Sequence, residues 1–489
     1  MKYGDFKKLT AIKTPEAFKV HLDSLGLAMP CDETIDQADL SPLMTPVDVD
    51  GMTIGNRITA QPMEGWDCTN DGAPTEATSR RWAKFGQSGA KLIFGGEAAA
   101  VRPDGRANPR QLIINDATKG AIAGLRETAR RAHIDRMGDD TGWIAGLQLT
   151  HSGRFCKPHD NTRFEPAILY RHPVLDKKFG TSATQPVMRD DDIARLIDDY
   201  IAAARLAYDI GFDFVDLKHC HGYLGHEFLS AKTRPGPYGG SLENRTRFLA
   251  DIVAGIRAAC PALKLAVRVS ALDLIAFKAG PKTDDQTGPA PGLAVSYPHD
   301  KPYDYGFGTD RDDPTQFDMT ELFELFDIFT TLGIKLVNVT LGSPYYNPHI
   351  VRPAAYPPSD GYASPEDPLV GVMRHLEIVR QIKAARPSFH LVGSGYSYLQ
   401  EYLPHVAQAV LRAGWTDFVG LGRMMLSYPD IMLDAVDGQT MQRKKFCRTF
   451  SDCTTAPRNG LVSGCFPLDP YYKESDQFDT LAAIKKAAS

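Results

Sequence analysis

The sequence predicts a (β/α)8 barrel, in which eight parallel strands alternate with helices. Short β-rich runs alternate with longer stretches of helical spacing, the pattern of a parallel sheet with crossover helices. There are eight such runs. The turn after the first run, "QPMEGWDCTNDGAP", lacks the phosphate-binding G-x-G-x-x-G that an open, doubly wound sheet would place there. These observations favour the barrel over the open sheet.

The eight predicted strands are separated by segments long enough to hold a helix. They are NRITAQPM (56–63), AKLIFGGE (90–97), WIAGLQLTH (143–151), FDFVDLKH (212–219), LKLAVRVS (263–270), IKLVNVTLG (334–342), FHLVGSG (389–395) and TDFVGLGR (416–423). In such barrels the chemistry lies at the carboxyl ends of the strands. Functional side chains are therefore expected there.

Three segments interrupt or flank this pattern. We predict an N-terminal arm at 1–40, a barrel domain at 41–440 and a C-terminal extension with a cysteine-containing loop at 441–489. Residues 271–317 form an insertion dense in Pro, Gly, Asp and Tyr. A loop this long is typically functional or disordered. Because it follows strand 5, we predict a lid over the barrel mouth.

Composition argues against several classes of function. The net charge of −5 gives no bulk attraction to nucleic acid or to an anionic membrane. No apolar run approaches the roughly 20 residues that span a bilayer, and the N-terminal stretch lacks a signal-peptide pattern. We therefore expect a cytoplasmic protein that acts on a small molecule, without a nucleic-acid or membrane partner.

The last two strands end in glycine pairs, within "GSG" at 393–395 and "GLGR" at 420–423. Glycine lets the backbone approach an anion closely, and peptide N–H groups at a helix start supply donors. The loops after strands 7 and 8 are the usual phosphate site of this fold. With Arg423 beside them, these glycines predict a phosphate site; tight strand-to-helix turns are the alternative.

Two further strand ends carry charged or titratable groups. Arg268 alternates with valines in "AVRVS", where a guanidinium is costly unless it meets an anion or a structural ion-pair partner. The stretch "KHCHGYLGHEFLS" (218–230) follows strand 4 and crowds histidines, a lysine and a tyrosine together. Both positions predict chemistry at the barrel mouth.

Together these fragments resemble the Old Yellow Enzyme family of FMN-dependent oxidoreductases, more closely its NADH:flavin oxidoreductase and 2,4-dienoyl-CoA reductase-like branches. The resemblance covers roughly residues 40–440. Its most specific part is "HGYLGHEFLSAKTRPGPYGGSLENRTRF" (221–248), and "QLTHSGR", "VRVS", "GSG" and "GLGR" match in the family's order.

The resemblance implies a (β/α)8 barrel with FMN across its mouth and NADH or NADPH as reductant. The implied cofactor contacts are Pro62, Met63 and Ala98 beside the flavin ring, Gln148 at its pyrimidine edge, Arg268 near N1, and Gly395, Gly422 and Arg423 at the phosphate. Tyr223 corresponds to the proton donor in reduction of an activated C=C bond. His221 corresponds to one of two side chains that polarise the substrate's oxygen.

Two positions depart from the family pattern. Lys218 stands where the family has its first substrate-binding histidine, which suggests a carboxylate-bearing substrate or a retuned acid or base. The alternative is an ion pair with Glu64 or Glu97. Glu64 itself stands where threonine or cysteine is usual. A carboxylate there opposes flavin reduction unless it is paired or protonated, or it acts as a base for a substrate that is oxidised.

The C-terminal cysteines resemble the iron–sulfur segment of the dienoyl-CoA reductase branch only in part. Cys453 and Cys465 keep one spacing, Cys447 is displaced by one residue, and Thr449 occupies the second position. Because a [4Fe–4S] cluster normally needs four thiolates, we predict a remnant without a cluster, and no other metal site. Electrons would then come from NAD(P)H at the flavin or from a separate electron-transfer protein. The sequence leaves open whether the chain forms a homo-oligomer.

Several functions remain in competition. The first is NAD(P)H-driven C=C reduction. The second is an FMN-dependent dehydrogenase or demethylase that uses Glu64 and Lys218 and passes electrons to a partner. The third is a tRNA-dihydrouridine synthase, because "QPMEG" resembles the start of those enzymes, but the acidic chain lacks a basic RNA-binding region. The fourth is a non-catalytic flavin-binding barrel, which the intact Tyr223 disfavours.

Overall fold

A computed structural model describes residues 6–282, 288–298 and 300–488. Its strands are β1 (Val47–Val49), β2 (Met52–Ile54), β3 (Ile58–Ala60), β4 (Leu92–Ile93), β5 (Ala98–Ala100), β6 (Ile144–Thr150), β7 (Phe214–His219), β8 (Lys264–Ser270), β9 (Phe277–Ala279), β10 (Gly292–Ala294), β11 (Leu336–Thr340), β12 (His390–Gly393) and β13 (Phe418–Leu421).

Helices separate most of these strands. They are α1 (Pro15–Ser24), α2 (Glu76–Gln87), α3 (Lys119–Met137), α4 (Pro173–Phe179), α5 (Asp190–Asp209), α6 (Leu224–Leu229), α7 (Leu242–Ala259), α8 (Thr320–Thr331), α9 (Pro348–Val351), α10 (Pro368–Ala385), α11 (Leu403–Arg412), α12 (Arg423–Ser427), α13 (Ile431–Val436), α14 (Asp452–Arg458), α15 (Pro470–Lys473) and α16 (Asp476–Ala488).

The predicted barrel is confirmed. Strands β3, β4, β6, β7, β8, β11, β12 and β13 pair in parallel, and the pairings β13–β3, β3–β4 and β4–β6 close the sheet on itself. Strand β5 continues the second barrel position after a break and also pairs with β6. Each predicted strand therefore maps to one barrel position.

Burial explains why the strands and helices take these places. Every residue of β7 is buried, as expected for a parallel strand with side chains inside the barrel and helices outside. In α5, Ile193, Leu196, Ile197 and Tyr200 are buried at the spacing of one helical face. Three aspartates occupy its first turn, where negative charge complements the helix dipole.

The flanking segments pack onto the barrel. Phe18 of α1 stacks on Tyr402 with ring centroids 4.1 Å apart. Strands β9 and β10 of the insertion form an antiparallel hairpin, while residues 283–287 and 299 of the predicted lid lie outside the described residues. No helix in the described part of the chain combines the length and apolar character needed to cross a bilayer. The predicted domain boundaries stay predictions.

Candidate active site

Two adjoining cavities open at the carboxyl ends of the barrel strands. The larger has a volume of about 280 Å³ and the smaller about 210 Å³. Both are lined by Pro62, Met63, Glu64, His221, Arg268, Pro344, Cys453 and Thr454. These shared walls make the two cavities one continuous site.

The ends of β12 and β13 form one end of the larger cavity. Gly395 has a φ of 95°, a left-handed conformation that favours glycine, and Gly422 lines the same cavity. Arg423 donates one hydrogen bond to the Pro353 carbonyl at 3.1 Å. Its buried Nη1 has no hydrogen-bond partner among the described residues, and burial lowers the pKa of its guanidinium. A cation left in this state is stabilised by an incoming anion.

Arg352, which sequence reasoning missed, lies in the same cavity. It donates to the Thr454 hydroxyl of the C-terminal extension, and its buried Nε has no partner within the described residues. Burial, and then the positive charge of Arg423, lower the pKa of Arg352 to about 9. Two guanidinium groups that repel each other in a buried cavity are suited to bind an anion between them.

Arg268 joins the larger and smaller cavities. Its Nη1 donates to the Pro62 carbonyl at 3.2 Å, and its Nε is buried without a partner among the described atoms. Its backbone N–H donates to Asp216 at 2.6 Å, and Gln148 donates to the other oxygen of Asp216 at 2.5 Å. Burial raises the pKa of Asp216 to about 7. Asp216 thus fixes both β6 and β8 beneath the site.

A hydrogen-bonded cluster of Tyr223, Glu64, Tyr345 and Lys218 lines the smaller cavity. The Tyr223 hydroxyl donates to Glu64 Oε2 at 2.5 Å and lies 2.9 Å from the Tyr345 hydroxyl. Lys218 Nζ lies 3.5 Å from the same carboxylate oxygen and 3.8 Å from the centroid of the Tyr223 ring. Lys218 therefore pairs with Glu64, one of the two acids considered from the sequence.

Electrostatics hold Tyr223 in its protonated form. Burial, followed by the Glu64 carboxylate, raises the pKa of Tyr223 well above its ordinary value. Burial lowers the pKa of Lys218, and the Glu64 carboxylate opposes that shift. The cluster therefore brings together an amine, a carboxyl group and a phenol that keeps its proton until a developing negative charge draws it away.

His221 is held in a strained backbone conformation between the two cavities. Its φ is 66°, a left-handed value that is uncommon for a side chain other than glycine. Its N–H donates to Ser270 at 2.9 Å and its carbonyl accepts from Ser343 at 2.8 Å. Burial lowers the pKa of His221, so the ring is neutral and suited to donate a hydrogen bond to a substrate oxygen.

A buried ion network supports the loop that carries Glu64. Arg81 contacts Asp67 at 2.6 Å and Glu97 at 2.9 Å, and Glu97 accepts a hydrogen bond from Gly65 N at 2.5 Å. Burial raises the pKa of Glu97 to about 7. Glu97 therefore pairs with Arg81 and positions the residue next to Glu64, rather than pairing with Lys218.

Two features that the sequence places at the barrel mouth are not found among the described lining residues. Ala98 lines neither cavity; its N–H donates to the Met63 carbonyl at 2.9 Å, so it holds the Met63 backbone in place. None of the lining residues comes from the described part of 271–317. The C-terminal extension supplies Cys453, Thr454 and Arg458 to the lining, and the lid predicted for 271–317 stays a prediction.

The three C-terminal cysteines lie around a small cavity of about 20 Å³ that Thr449 and Arg423 also line. They are Cys447, Cys453 and Cys465. Among the described residues, no group of three or more His, Cys, Asp or Glu side chains is arranged to hold a metal ion. Burial raises the pKa of Cys447, which disfavours its thiolate form.

Other lining residues were not assigned from the sequence. Gln61 and Ser394 belong to the "QPMEG" and "GSG" motifs, and Gln61 donates to Ser394 at 3.0 Å. Their motifs were a signal that could have identified them. Tyr345 lies between β11 and α9, Arg352 directly follows α9, and Trp66 lies in the loop after β3, where neither periodicity nor a motif singles them out.

Comparison with known proteins gives a consistent result over the first half of the chain. Residues 42–284 match the model of the NADH:flavin oxidoreductase / NADH oxidase family. An "NADPH dehydrogenase" of Geobacillus sp. (strain WCH70) is 34% identical over 241 residues, which are 47% of this chain and 64% of that protein. An "NADPH dehydrogenase" of Bacillus subtilis (strain 168) is 32% identical with the same two coverages. The chain thus spans just under two thirds of these relatives.

Solved structures extend the likeness of fold to most of the chain. A 2-naphthoyl-CoA reductase complex superposes with a TM-score of 0.62 at 16% identity, covering 88% of this chain and 57% of that one. An Old Yellow Enzyme homologue from Zymomonas mobilis gives 0.53 at 22% identity, covering 82% and 94%. At these identities the likeness establishes the fold alone.

Proposed function

We propose that this protein is an FMN-dependent oxidoreductase that uses NADH or NADPH to reduce an activated C=C bond, since residues 42–284 match the model of the NADH:flavin oxidoreductase / NADH oxidase family. One observation carries the proposal. The continuous cavity has two buried guanidinium groups, Arg352 and Arg423, each with one nitrogen that lacks a partner among the described residues, at one end and the acid Tyr223 with the neutral donor His221 at the other.

The residues present fit FMN. Arg423 and Arg352, whose unpaired guanidinium nitrogens are buried at the larger cavity, would hold its phosphate together with the backbone at Gly395 and Gly422. Pro62 and Met63 would lie beside the ring, with Gln148 at its pyrimidine edge and Arg268 near N1. When bound, FMN supplies hydride transfer between the pyridine nucleotide and the substrate.

The chain's own groups then handle orientation and protons. His221 and Lys218 would donate hydrogen bonds to the substrate's carbonyl oxygen and draw electron density from the alkene. Tyr223 would give its proton to the α-carbon while the β-carbon gains a hydride. Overall, NAD(P)H and one proton are consumed, and the C=C bond becomes a single bond with two new C–H bonds.

The Glu64–Tyr223 contact also supports a second candidate, oxidation of a substrate with electrons passed to a partner. A carboxylate 2.5 Å from the phenol can accept its proton when Tyr223 takes one from a substrate. The same contact serves reduction by holding the phenol in place. The direction is therefore decided by which compound exchanges electrons with the flavin.

The Glu64→Gln variant is expected to move the alkaline limb of the pH profile of kcat/KM to lower pH. Burial lowers the pKa of Lys218 and the Glu64 carboxylate opposes that shift, so removing the carboxylate lowers this pKa further. Protonated Lys218 is then lost at a lower pH. Steady-state rates across pH, with Glu377→Gln at an ion pair outside the cavities as control, measure this. An unmoved limb would exclude Lys218 as the group that titrates.

The Arg423→Met variant is expected to bind FMN about 10- to 100-fold more weakly, the loss of a hydrogen-bonded contact to a charged group. Riboflavin binding should stay the same, because riboflavin lacks the phosphate. Quenching of flavin fluorescence by the apoprotein measures both affinities. Arg412→Met, at a surface ion pair on α11, is the control. Equal losses for FMN and riboflavin would contradict a phosphate contact.

The proposed function is tested by an anaerobic titration of the flavin-loaded protein with NADPH and NADH, followed by 2-cyclohexenone. We expect the flavin absorbance to bleach with a pyridine nucleotide and to return with the enone. A flavin that neither nucleotide reduces, but that an organic substrate does, would favour the dehydrogenase. No flavin binding after reconstitution with FMN would exclude both candidates.

A further inference from the structure

We propose that the substrate carries a carboxylate, which Arg458 of the C-terminal extension binds at the outer part of the smaller cavity. This rests on the proposed function and adds the substrate class to it. Arg458 ends α14 and lines the smaller cavity together with Tyr223 and Lys218. The residue that would recognise the carboxylate therefore shares a cavity with the proton donor.

The present contacts of Arg458 leave its guanidinium available. Nη1 lies 2.7 Å from a carboxylate oxygen of Asp360, and Nη2 donates to the Pro344 carbonyl at 3.0 Å. The Arg458 side chain is 21% exposed, whereas that of Asp360 is 57% exposed. An ion pair with so exposed a partner is only weakly stabilising, because water screens its charges. A ligand carboxylate in the cavity can therefore compete with Asp360.

The charges that line the smaller cavity favour an anion. Lys218, Arg268 and Arg458 are cations, Glu64 is the one carboxylate among the lining residues, and burial keeps His221 neutral. Lys218 is paired with Glu64 at 3.5 Å. Arg268 lies at the junction with the larger cavity, where its guanidinium would contact the cofactor rather than the substrate. Arg458 is the remaining cation on the substrate side.

The walls between these charges suit a flat, partly apolar molecule. Trp66, Tyr223 and Tyr345 line the cavity, and the Tyr345 ring stacks on Phe155 with centroids 4.1 Å apart. The backbone N–H of Trp66 donates a hydrogen bond to the Ser463 hydroxyl of the C-terminal extension at 2.9 Å. The ligand would place its enone near Tyr223 and its carboxylate at Arg458.

The test compares a carboxylate with its neutral twin, 5-oxocyclohex-3-ene-1-carboxylate and its methyl ester. We expect the wild type to reduce the carboxylate with about 10-fold or greater advantage in kcat/KM. Arg458→Gln should remove that advantage through KM, leaving the ester and NADPH kinetics unchanged. Arg458→Lys should restore part of it, since lysine keeps the charge but not the fork.

Asp360→Asn is the matched second variant. It removes the competing carboxylate from an exposed position, so we expect a lower KM for the carboxylate probe and no change for the ester. If Arg458 only holds the Pro344 loop, both variants would change the two probes in parallel, and the proposal would be overturned. A shift in the KM for NADPH instead would assign Arg458 to the nucleotide and overturn it equally.

The outcomes also separate this proposal from the proposed function. Equal reduction of carboxylate and ester by the wild type would overturn the carboxylate site and leave the oxidoreductase intact. A flavin that NAD(P)H does not reduce, with both probes untouched, would overturn the proposed reduction, and the carboxylate site with it.

Discussion

We expect the Tyr223→Phe variant to reduce 2-cyclohexenone about 10²- to 10⁴-fold more slowly than the wild type, the contribution typical of a positioned general acid. The phenol keeps its proton because burial and the Glu64 carboxylate raise its pKa. Removing the hydroxyl leaves the α-carbon without this donor. Reduction of the flavin by NADPH should keep its rate, because that step needs no proton from Tyr223. Stopped-flow absorbance separates the two half-reactions.

Tyr345→Phe is the matched control for that experiment. Its hydroxyl lies 2.9 Å from that of Tyr223 and so orients the donor without replacing it. We expect a smaller loss, on the order of 10-fold. If Tyr345→Phe proved the more damaging change, Tyr345 would be the donor and Tyr223 its support. Full activity in both variants would place the proton donor elsewhere.

The barrel could be predicted from the sequence because its signals are local. Each strand is a short apolar run, and each following segment repeats its apolar residues at helical spacing. The break between β4 and β5 could not be predicted, since "AKLIFGGE" reads as one continuous strand. The break follows from Gly95 and Gly96, both at positive φ, which turn the chain within that run.

The candidate site was predictable only where a motif marked it. Tyr223, His221, Arg268 and Arg423 stand in motifs that are visible in the sequence, and each lines a cavity. The contact between Tyr223 and Glu64 joins residues 159 positions apart, so no local pattern reports it. The contribution of the C-terminal extension to the cavity lining had even less signal in the sequence. It depends on long-range contacts such as that between Arg352 and Thr454, which only the folded chain brings together.

The Arg154→Met variant is expected to lower the free energy of unfolding by about 3–5 kcal/mol, the usual cost of leaving a buried charge without its partner. Arg154 is 2% exposed and contacts Glu227 at 2.9 Å, and it also pairs with Asp176. Glu227 is itself buried on α6, the helix that begins directly after Tyr223. Chemical denaturation monitored by circular dichroism measures the loss. Arg195→Met, at an exposed ion pair, should cost under about 1 kcal/mol.

The pH dependence of the Arg154→Met variant identifies the stranded charge. Burial raises the pKa of Glu227, and Arg154 opposes that shift, so the variant raises this pKa further. A carboxyl with a raised folded-state pKa costs stability above that pKa and recovers it on protonation. The difference in free energy of unfolding between the variant and the wild type should therefore become smaller as pH falls. Adding Glu227→Leu should also narrow it at neutral pH, because the stranded carboxylate is gone. If neither the lower pH nor Glu227→Leu changed the difference in free energy of unfolding between the variant and the wild type, Arg154 would act through packing alone. Helix α6 would then need the bulk of the Arg154 side chain rather than its charge.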